Sequence, residues 1–271
     1  MEQGFRGRYG PWAAVLGAGQ GIGLAFAREI ARRGVDVLAV DLRAEGAEAA
    51  RAAATQEGAR AEARTLDLAD PAAAARLEEV AQGRTLGLVV CSAAVSLVGP
   101  FLDAPLARHL EAVGVNCAGA VRACHVLGTR LAAQGRGGVV LLSSLAGFQG
   151  TGFVASYAAS KAFTLSLAEA LWWELGPRGV DVVAVAPGST DTPGFLAHGP
   201  RVDREALASP EEVAREGLDG LGRGPLVVPG EANRRIRDAM AALPRTRAVE
   251  VMSEQTRRMY PSGRPEEEGR R

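Results

Sequence analysis

"LGAGQGIG" occupies residues 16–23, and the two patterns it joins decide how the chain folds. Before it runs "WAAVLG" (12–17), short and apolar, the mark of a buried strand. After it, "GLAFAREIARRG" (23–34) repeats apolar residues at three- and four-residue spacing, the period of an amphipathic helix. Glycines between a strand and a helix let the backbone turn tightly and bring the helix N-terminus close to an anion. There the unpaired N–H groups and the helix dipole favour a pyrophosphate. The spacing is Gly17, Gly21, Gly23 with Gly19 inside, G-x3-G-x-G rather than the commoner G-x-G-x-x-G. An ordinary glycine-rich turn is the other reading of the same residues.

The rest of the chain repeats the alternation. "VDVLAVD" (35–41), "ARAEARTLD" (59–67), "LGLVVCS" (86–92), "GGVVLLSS" (137–144), "VDVVAVAP" (180–187) and "PLVVPG" (225–230) read as further strands. Alanine-rich helical segments separate them, including "DPAAAARLEEVA" (70–81), where Asp70 is placed as N-cap and Pro71 at the first helical position. Strands alternating with helices predict an α/β fold, a parallel sheet covered on both faces. The pattern loosens near residue 190; helices are expected near 231–243 and 246–259, and the charged tail 262–271 is expected to be disordered. One domain is expected over 1–271, with an ordered core of about 11–260.

Composition narrows the function. With 47% hydrophobic residues and 23% charged, 31 basic against 31 acidic, the chain can bury a large core and has no electrostatic bias toward nucleic acid or anionic membrane. Cys91, Cys117 and Cys124 have no metal or CxxC spacing and read as reduced thiols. His109, His125 and His198 share no ligand spacing, so no metal is expected, and each histidine is read as satisfied or at the surface. The opening "MEQGFRGRYG" has no apolar core of a signal peptide, and a soluble, cytoplasmic protein is expected.

Asp41 ends the second strand 18 residues after Gly23, the offset of an acid that holds a ribose 2′-hydroxyl. A carboxylate there repels a 2′-phosphate, and the turn carries Gln20 but no basic residue, so NAD is favoured over NADP. Arg43 is the counter-signal. Asp41 also reads as a cap for the next helix, and Asp67, ending the third strand, reads equally as an adenine contact or a turn cap.

Of the 31 basic residues one alone is lysine, and it lies in "SYAASKA" (156–162). Tyr157 and Lys161, four apart, share one face of a helix. A phenol that exchanges protons near neutral pH must lose proton affinity, which an ammonium beside it favours. Ser144, 13 residues upstream at a strand end, can hold a carbonyl while the tyrosine moves the proton. A chance Tyr–Lys pair on a solvated helix face is the bland alternative.

"LGAGQGIG", "DLAD", "VGVNCAG", "SS…YAASK" and "VAPGSTDTPG" occur in this order, and over about residues 11–193 the chain resembles the classical short-chain dehydrogenases/reductases. The resemblance implies a Rossmann-type doubly wound parallel sheet of seven strands, order 3-2-1-4-5-6-7, and a catalytic tetrad at Asn116, Ser144, Tyr157 and Lys161. In that family the tyrosine is the general acid/base, the lysine lowers its pKa and binds the nicotinamide ribose, the serine orients the carbonyl, and the asparagine holds a relay water. The implied dinucleotide contacts are Gly17, Gly19, Gln20, Gly21, Ile22, Gly23, Asp41, Asp67, Leu68, Ala93, Tyr157, Lys161, Pro187, Gly188, Thr190 and Thr192. Hydride would pass between the nicotinamide and an alcohol or ketone carbon.

Two positions depart from the family pattern: Leu16 replaces a threonine, and Cys91-Ser92-Ala93-Ala94 replaces Asn-Asn-Ala-Gly. Weaker or shifted cofactor binding is expected, with catalysis retained. The segment 193–210 is expected to form a lid. Val95, Phe148, Gln149, Phe153, Phe195, Leu196 and His198 are the candidate substrate wall, mostly apolar, which suggests a lipophilic ketone or secondary alcohol. Trp172 and Trp173 point about 100° apart on one helix, so one is expected in the core and one at a subunit contact. A homodimer or homotetramer is implied by the family. The alternatives are an NADPH-dependent biosynthetic ketoreductase and a non-catalytic dinucleotide-binding sensor or scaffold.

Overall fold

The computed structural model describes residues 4–261; the tail expected to be disordered at 262–271 lies outside the described residues. In chain order the elements are α1 (Phe5–Tyr9), β1 (Trp12–Leu16), α2 (Gly21–Arg32), β2 (Asp36–Asp41), α3 (Ala44–Gln56), β3 (Ala61–Thr65), α4 (Ala73–Ala81) and β4 (Leu86–Cys91). Then follow α5 (Leu106–Val113), α6 (Ala120–Gln134), β5 (Gly137–Leu142), α7 (Ala155–Leu175), β6 (Val180–Val185) and the single turn α8 (Pro193–Leu196). The chain continues through α9 (Pro210–Asp219), β7 (Leu226–Val227), α10 (Glu231–Ala241) and α11 (Arg245–Met259).

The strands form one parallel sheet of seven, in the order β3-β2-β1-β4-β5-β6-β7. Alternation along each strand splits the core between the two faces. Val15, Phe26, Ile30 and Val183 pack on one side; Leu16, Leu77, Leu127 and Leu131 pack on the other. The order reverses between β1 and β4, so their carboxyl ends diverge and leave a crevice, the place where a doubly wound sheet takes its ligand. Among the described residues no helix is long and apolar enough to cross a membrane.

All seven expected strands are present; β7 is cut to two residues. Helix α4 starts at Ala73, later than expected, because Asp70 caps the preceding turn instead: its Oδ1 accepts from Ala72 N at 2.8 Å. The ordered chain also starts earlier than residue 11. Helix α1 docks Tyr9 over Gly87 and Gly138, and the Tyr9 hydroxyl donates to Asp181 Oδ2 at 2.8 Å. Trp172 and Trp173 are both accessible, at 39% and 75%, so neither is core.

The two departures from the family pattern meet here. Leu16 pairs in register with Cys91, and both side chains face the same hydrophobic layer. Leu16 is fully buried. An apolar pair thus stands where a hydroxyl and an amide would otherwise bond, and neither change leaves a polar group stranded. The following loop is held by main-chain bonds instead: Ser92 N and Ala93 N both donate to Leu16 O, each at 2.9 Å. Ala94 avoids positive φ; among the described non-glycine residues only Phe153 has it. Leu16→Thr alone should cost about 1–3 kcal/mol in urea denaturation, since it strands a buried hydroxyl. Adding Cys91→Asn should recover part of that loss, and strict additivity of the two would contradict the pairing.

Candidate active site

The crevice at the sheet's switch point has a volume of about 490 Å³, within the range of small-molecule sites. Its floor is the glycine turn. Gly17 has φ +79° and lies against Ala93, where no side chain could follow; a Cβ on Gly23 would run into the Gly17 carbonyl. Helix α2 opens into the crevice without a side-chain cap, Gln20 being extended with its side chain making no bond to the first turn. Its leading N–H groups therefore face the cavity unpaired, the arrangement a pyrophosphate needs.

Asp41 sits beside this turn. Its Oδ2 accepts from Gly19 N at 2.8 Å and its Oδ1 from Arg43 N at 3.0 Å. Asp41 thus fixes both the turn and the start of α3 while still lining the crevice. Arg43 reaches back over the rim, its Nη2 donating to Gln20 Oε1 at 3.2 Å. Asp67 caps its own turn, accepting from Ala69 N at 2.8 Å, and also lines the crevice with Leu68. On the opposite wall are Pro187, Gly188, Thr190 and Thr192. Gly188 packs directly against the Asn233 amide of α10, and Thr192 Oγ1 accepts from Phe195 N at 3.1 Å. These residues, with the open helix terminus, fit a dinucleotide.

At the far end of the crevice Ser144, Tyr157 and Lys161 come together. Lys161 is buried, at 4% exposure, and its Nζ donates to Leu142 O at 2.7 Å. Burial lowers its pKa to about 8, opposed only by the negative charge that Cys117 can carry. The ammonium lies 5.5 Å from the centre of the Tyr157 ring. The phenol is raised, not lowered: burial pushes it up, and the Ser144 hydroxyl beside it acts in the opposite direction. Burial thus outweighs the neighbouring hydroxyl at Tyr157, while the ammonium donates to the Leu142 carbonyl.

Asn116 lies in a π-helical turn, Gly114–Gly119, between α5 and α6. Such turns recur at functional sites. Its amide is fully engaged: Oδ1 accepts from Val95 N at 2.7 Å, and Nδ2 donates to Val95 O at 2.9 Å and Ser160 Oγ at 2.8 Å. Ser160 Oγ in turn donates to Tyr157 O at 2.8 Å. The asparagine side chain thus ties the loop after β4 to the helix carrying Tyr157 and Lys161.

The candidate substrate wall divides. Val95 and Phe195 line the crevice. Phe148 packs into the hydrophobic layers and Gln149 is buried, its Nε2 donating to Leu145 O at 3.3 Å; both are drawn inward by the short turn after Ser144. Phe153 is turned toward α11 by its left-handed backbone, φ 64°. Leu196 and His198 are half-buried in the segment after Thr192 and do not reach the crevice. His109 is satisfied, Nε2 pairing with Phe101 O at 2.9 Å and Nδ1 with Ser156 Oγ at 2.7 Å.

Comparison with known proteins agrees with this geometry. Residues 11–199 match the family model for short chain dehydrogenase. The 7beta-hydroxysteroid dehydrogenase of Clostridium sardiniense is 34% identical over 235 residues, covering 85% of this chain and 89% of the relative. A solved 7beta-hydroxysteroid dehydrogenase superposes with TM-score 0.85 at 28% identity, over 92% of this chain and 99% of that one. A short-chain dehydrogenase from Sphingobium yanoikuyae, in complex with NADPH, gives 0.74 at 26% identity, over 86% and 96%. With strand order, glycine turn and Ser-Tyr-Lys end all in place, the chain belongs to the short-chain dehydrogenase/reductase family, NAD(P)-dependent oxidoreductases of the CH–OH/C=O pair.

Proposed function

We propose that the protein interconverts a secondary alcohol and a ketone on a lipophilic ring compound, with NAD(H) as the preferred cofactor. The observation that carries this reading is the crevice itself, in which Ser144, Tyr157 and Lys161 share one end while Asp41 stands at the other. Apolar Val95 and Phe195 flank the reacting end and favour a hydrocarbon frame. Relatives that act as 7beta-hydroxysteroid dehydrogenases support a fused-ring substrate.

When bound, the nicotinamide supplies or accepts the hydride. The chain's own residues do the rest. Tyr157 gives its proton to the carbonyl oxygen during reduction and recovers it during oxidation. Ser144 donates to the same oxygen and fixes the carbonyl's direction. Lys161, held on Leu142 O, keeps two N–H groups free for a ribose hydroxyl and supplies the positive charge that stabilises a phenolate. Asn116 keeps α7 in register with the loop after β4 through Val95 and Ser160.

A second cofactor reading has its own observation. Arg43 crosses the rim beside Asp41, where a guanidinium suits a 2′-phosphate. Wild-type protein should bind NADH at least roughly tenfold more tightly than NADPH, and Asp41→Ala should narrow or reverse that ratio through loss of the ribose contact and of charge repulsion. Preference for NADPH in the wild type would replace NAD by NADP in the assignment.

Proton bookkeeping gives the pH dependence. Burial holds Tyr157 above its ordinary value and Lys161 below its own, so the lysine gives up its proton first. Lys161 is lowered to about 8, so that proton is lost as pH rises through this value. Alcohol oxidation needs the pair one proton short; its kcat/KM should climb through an apparent pKa of about 8, while ketone reduction falls. Tyr157→Phe should lower kcat by about 10²–10⁴-fold with NADH affinity nearly unchanged, the usual worth of general acid–base catalysis. Undiminished turnover in that variant, or a pH profile flat from neutral to mildly alkaline solution, would contradict the mechanism.

A further inference from the structure

The crevice wall that faces the glycine turn is carried by the segment after β6, and that segment is held on both sides of Gly188. Before it, Ala186 N donates to Val227 O of β7 at 2.8 Å, and the Pro187 carbonyl accepts from Leu145 N at 2.9 Å. Pro187 therefore stands beside Ser144, at the reacting end. After it, Thr190 Oγ1 donates back to Gly188 O at 3.0 Å, and Asp191 N donates to Ala208 O at 3.0 Å. Gly188 itself lines the crevice, in the middle of the segment.

The side chain of Asn233, in the first turn of α10, backs Gly188. A Cβ on Gly188 would collide with Asn233 Oδ1 and come within 2.9 Å of its Cγ, so the amide lies flush on the Gly188 backbone. Asn233 Nδ2 donates to Pro229 O at 2.8 Å, which directs Oδ1 toward Gly188. The start of α10 is anchored away from the crevice. Gly230 N donates to both Glu216 carboxylate oxygens at 3.3 Å, and Arg234 Nη1 donates to Glu216 Oε2 and to Val228 O, each at 3.0 Å. Glu216 belongs to α9, whose Val213 and Leu218 share a buried cluster with Phe26 and Ile30 of α2. Asn233 is thus the tip of a fixed post.

We propose that Asn233 is a positioning residue for the dinucleotide: its amide sets the depth of the wall at Gly188, and with it the reach of the nicotinamide to the carbon held by Ser144 and Tyr157. The role rests on the alcohol/ketone reading above. Hydride passes only between atoms about 3–3.5 Å apart, so the nicotinamide end belongs at the Ser144 end of the crevice. Gly188 has no side chain to adjust to a flat ring, so the depth of the wall there is the position of the backbone. An error of about 1 Å in such a position is enough to cost roughly 10²-fold in rate. The adenosine end is addressed by Asp41 and the glycine turn, to neither of which Asn233 is bonded.

The test titrates NADH, and ADP-ribose, which lacks the nicotinamide, into wild type, Asn233→Ala, Gly188→Ala and the double variant by calorimetry. Asn233→Ala should weaken NADH roughly tenfold while ADP-ribose changes by less than about twofold. Gly188→Ala should weaken NADH as well, because its methyl meets the amide. In the double variant the methyl takes the space the amide vacates, so NADH should bind more tightly than to Gly188→Ala alone. Equal losses of NADH and ADP-ribose in Asn233→Ala would make Asn233 a general support of the fold and overturn the proposal. Unchanged NADH binding in that variant, or additive losses in the double variant, would overturn it too. If Asn233→Ala fails to fold, Asn233→Ser carries the same comparison. A wild type that binds NADH yet reduces no ketone would bring down the alcohol/ketone reading, while the binding comparison would still decide the role of Asn233. A wild type that binds neither ligand would bring down both.

Discussion

The Lys161 ammonium is a charge placed where water cannot readily reach it, and the surrounding polar framework exists to keep it there. Its Nζ has one fixed acceptor, the last carbonyl of β5, at 2.7 Å. Its own carbonyl accepts from Ser143 Oγ at 2.8 Å, so strand and helix are joined twice at this residue. The preceding residue, Ser160, links α7 to Asn116 and thence to Val95. Burial lowers the lysine's proton affinity without abolishing its charge at neutral pH. A compact head with three donors can serve Leu142 and still address a ligand, whereas a planar guanidinium would need a wider slot.

The sheet makes that placement useful. Reversal of strand order between β1 and β4 opens the crevice, the uncapped end of α2 supplies its anion site, and β5 delivers Ser144 to its far end. The loop after β4 crosses between these parts on main-chain bonds to Leu16. Leu16 and Cys91 pair in register and face the same hydrophobic layer, so the crossing rests on an apolar seam. Cofactor floor and catalytic end are thus parts of one rigid framework.

Much of this was legible in the sequence, and for identifiable reasons. A glycine turn between a strand and a helix is a local pattern, and so is a tyrosine four residues before the chain's single lysine. Both survive folding because the neighbouring backbone dictates them. The substrate wall was less legible. Phe148, Gln149 and Phe153 are adjacent to catalytic residues in sequence, but a tight turn and one left-handed residue direct them into the core or toward α11. Asn233 reaches the crevice wall across the fold, against Gly188, and no spacing rule announces a contact made from so far along the chain. Helix α1 was missed because five residues are too few to show a period. Burial pushes the Tyr157 phenol up, and helical spacing to a lysine carries no information about burial.

The most direct test of the lysine's role is Lys161→Arg, assayed for NADH affinity and for the pH dependence of alcohol oxidation. If a compact ammonium is required, turnover should fall by about 10²-fold or more, consistent with the worth of a lost acid–base partner. NADH should also bind more weakly, and the rise near pH 8 should vanish because a guanidinium keeps its proton. An arginine variant with wild-type turnover and an unchanged alkaline limb would contradict the account.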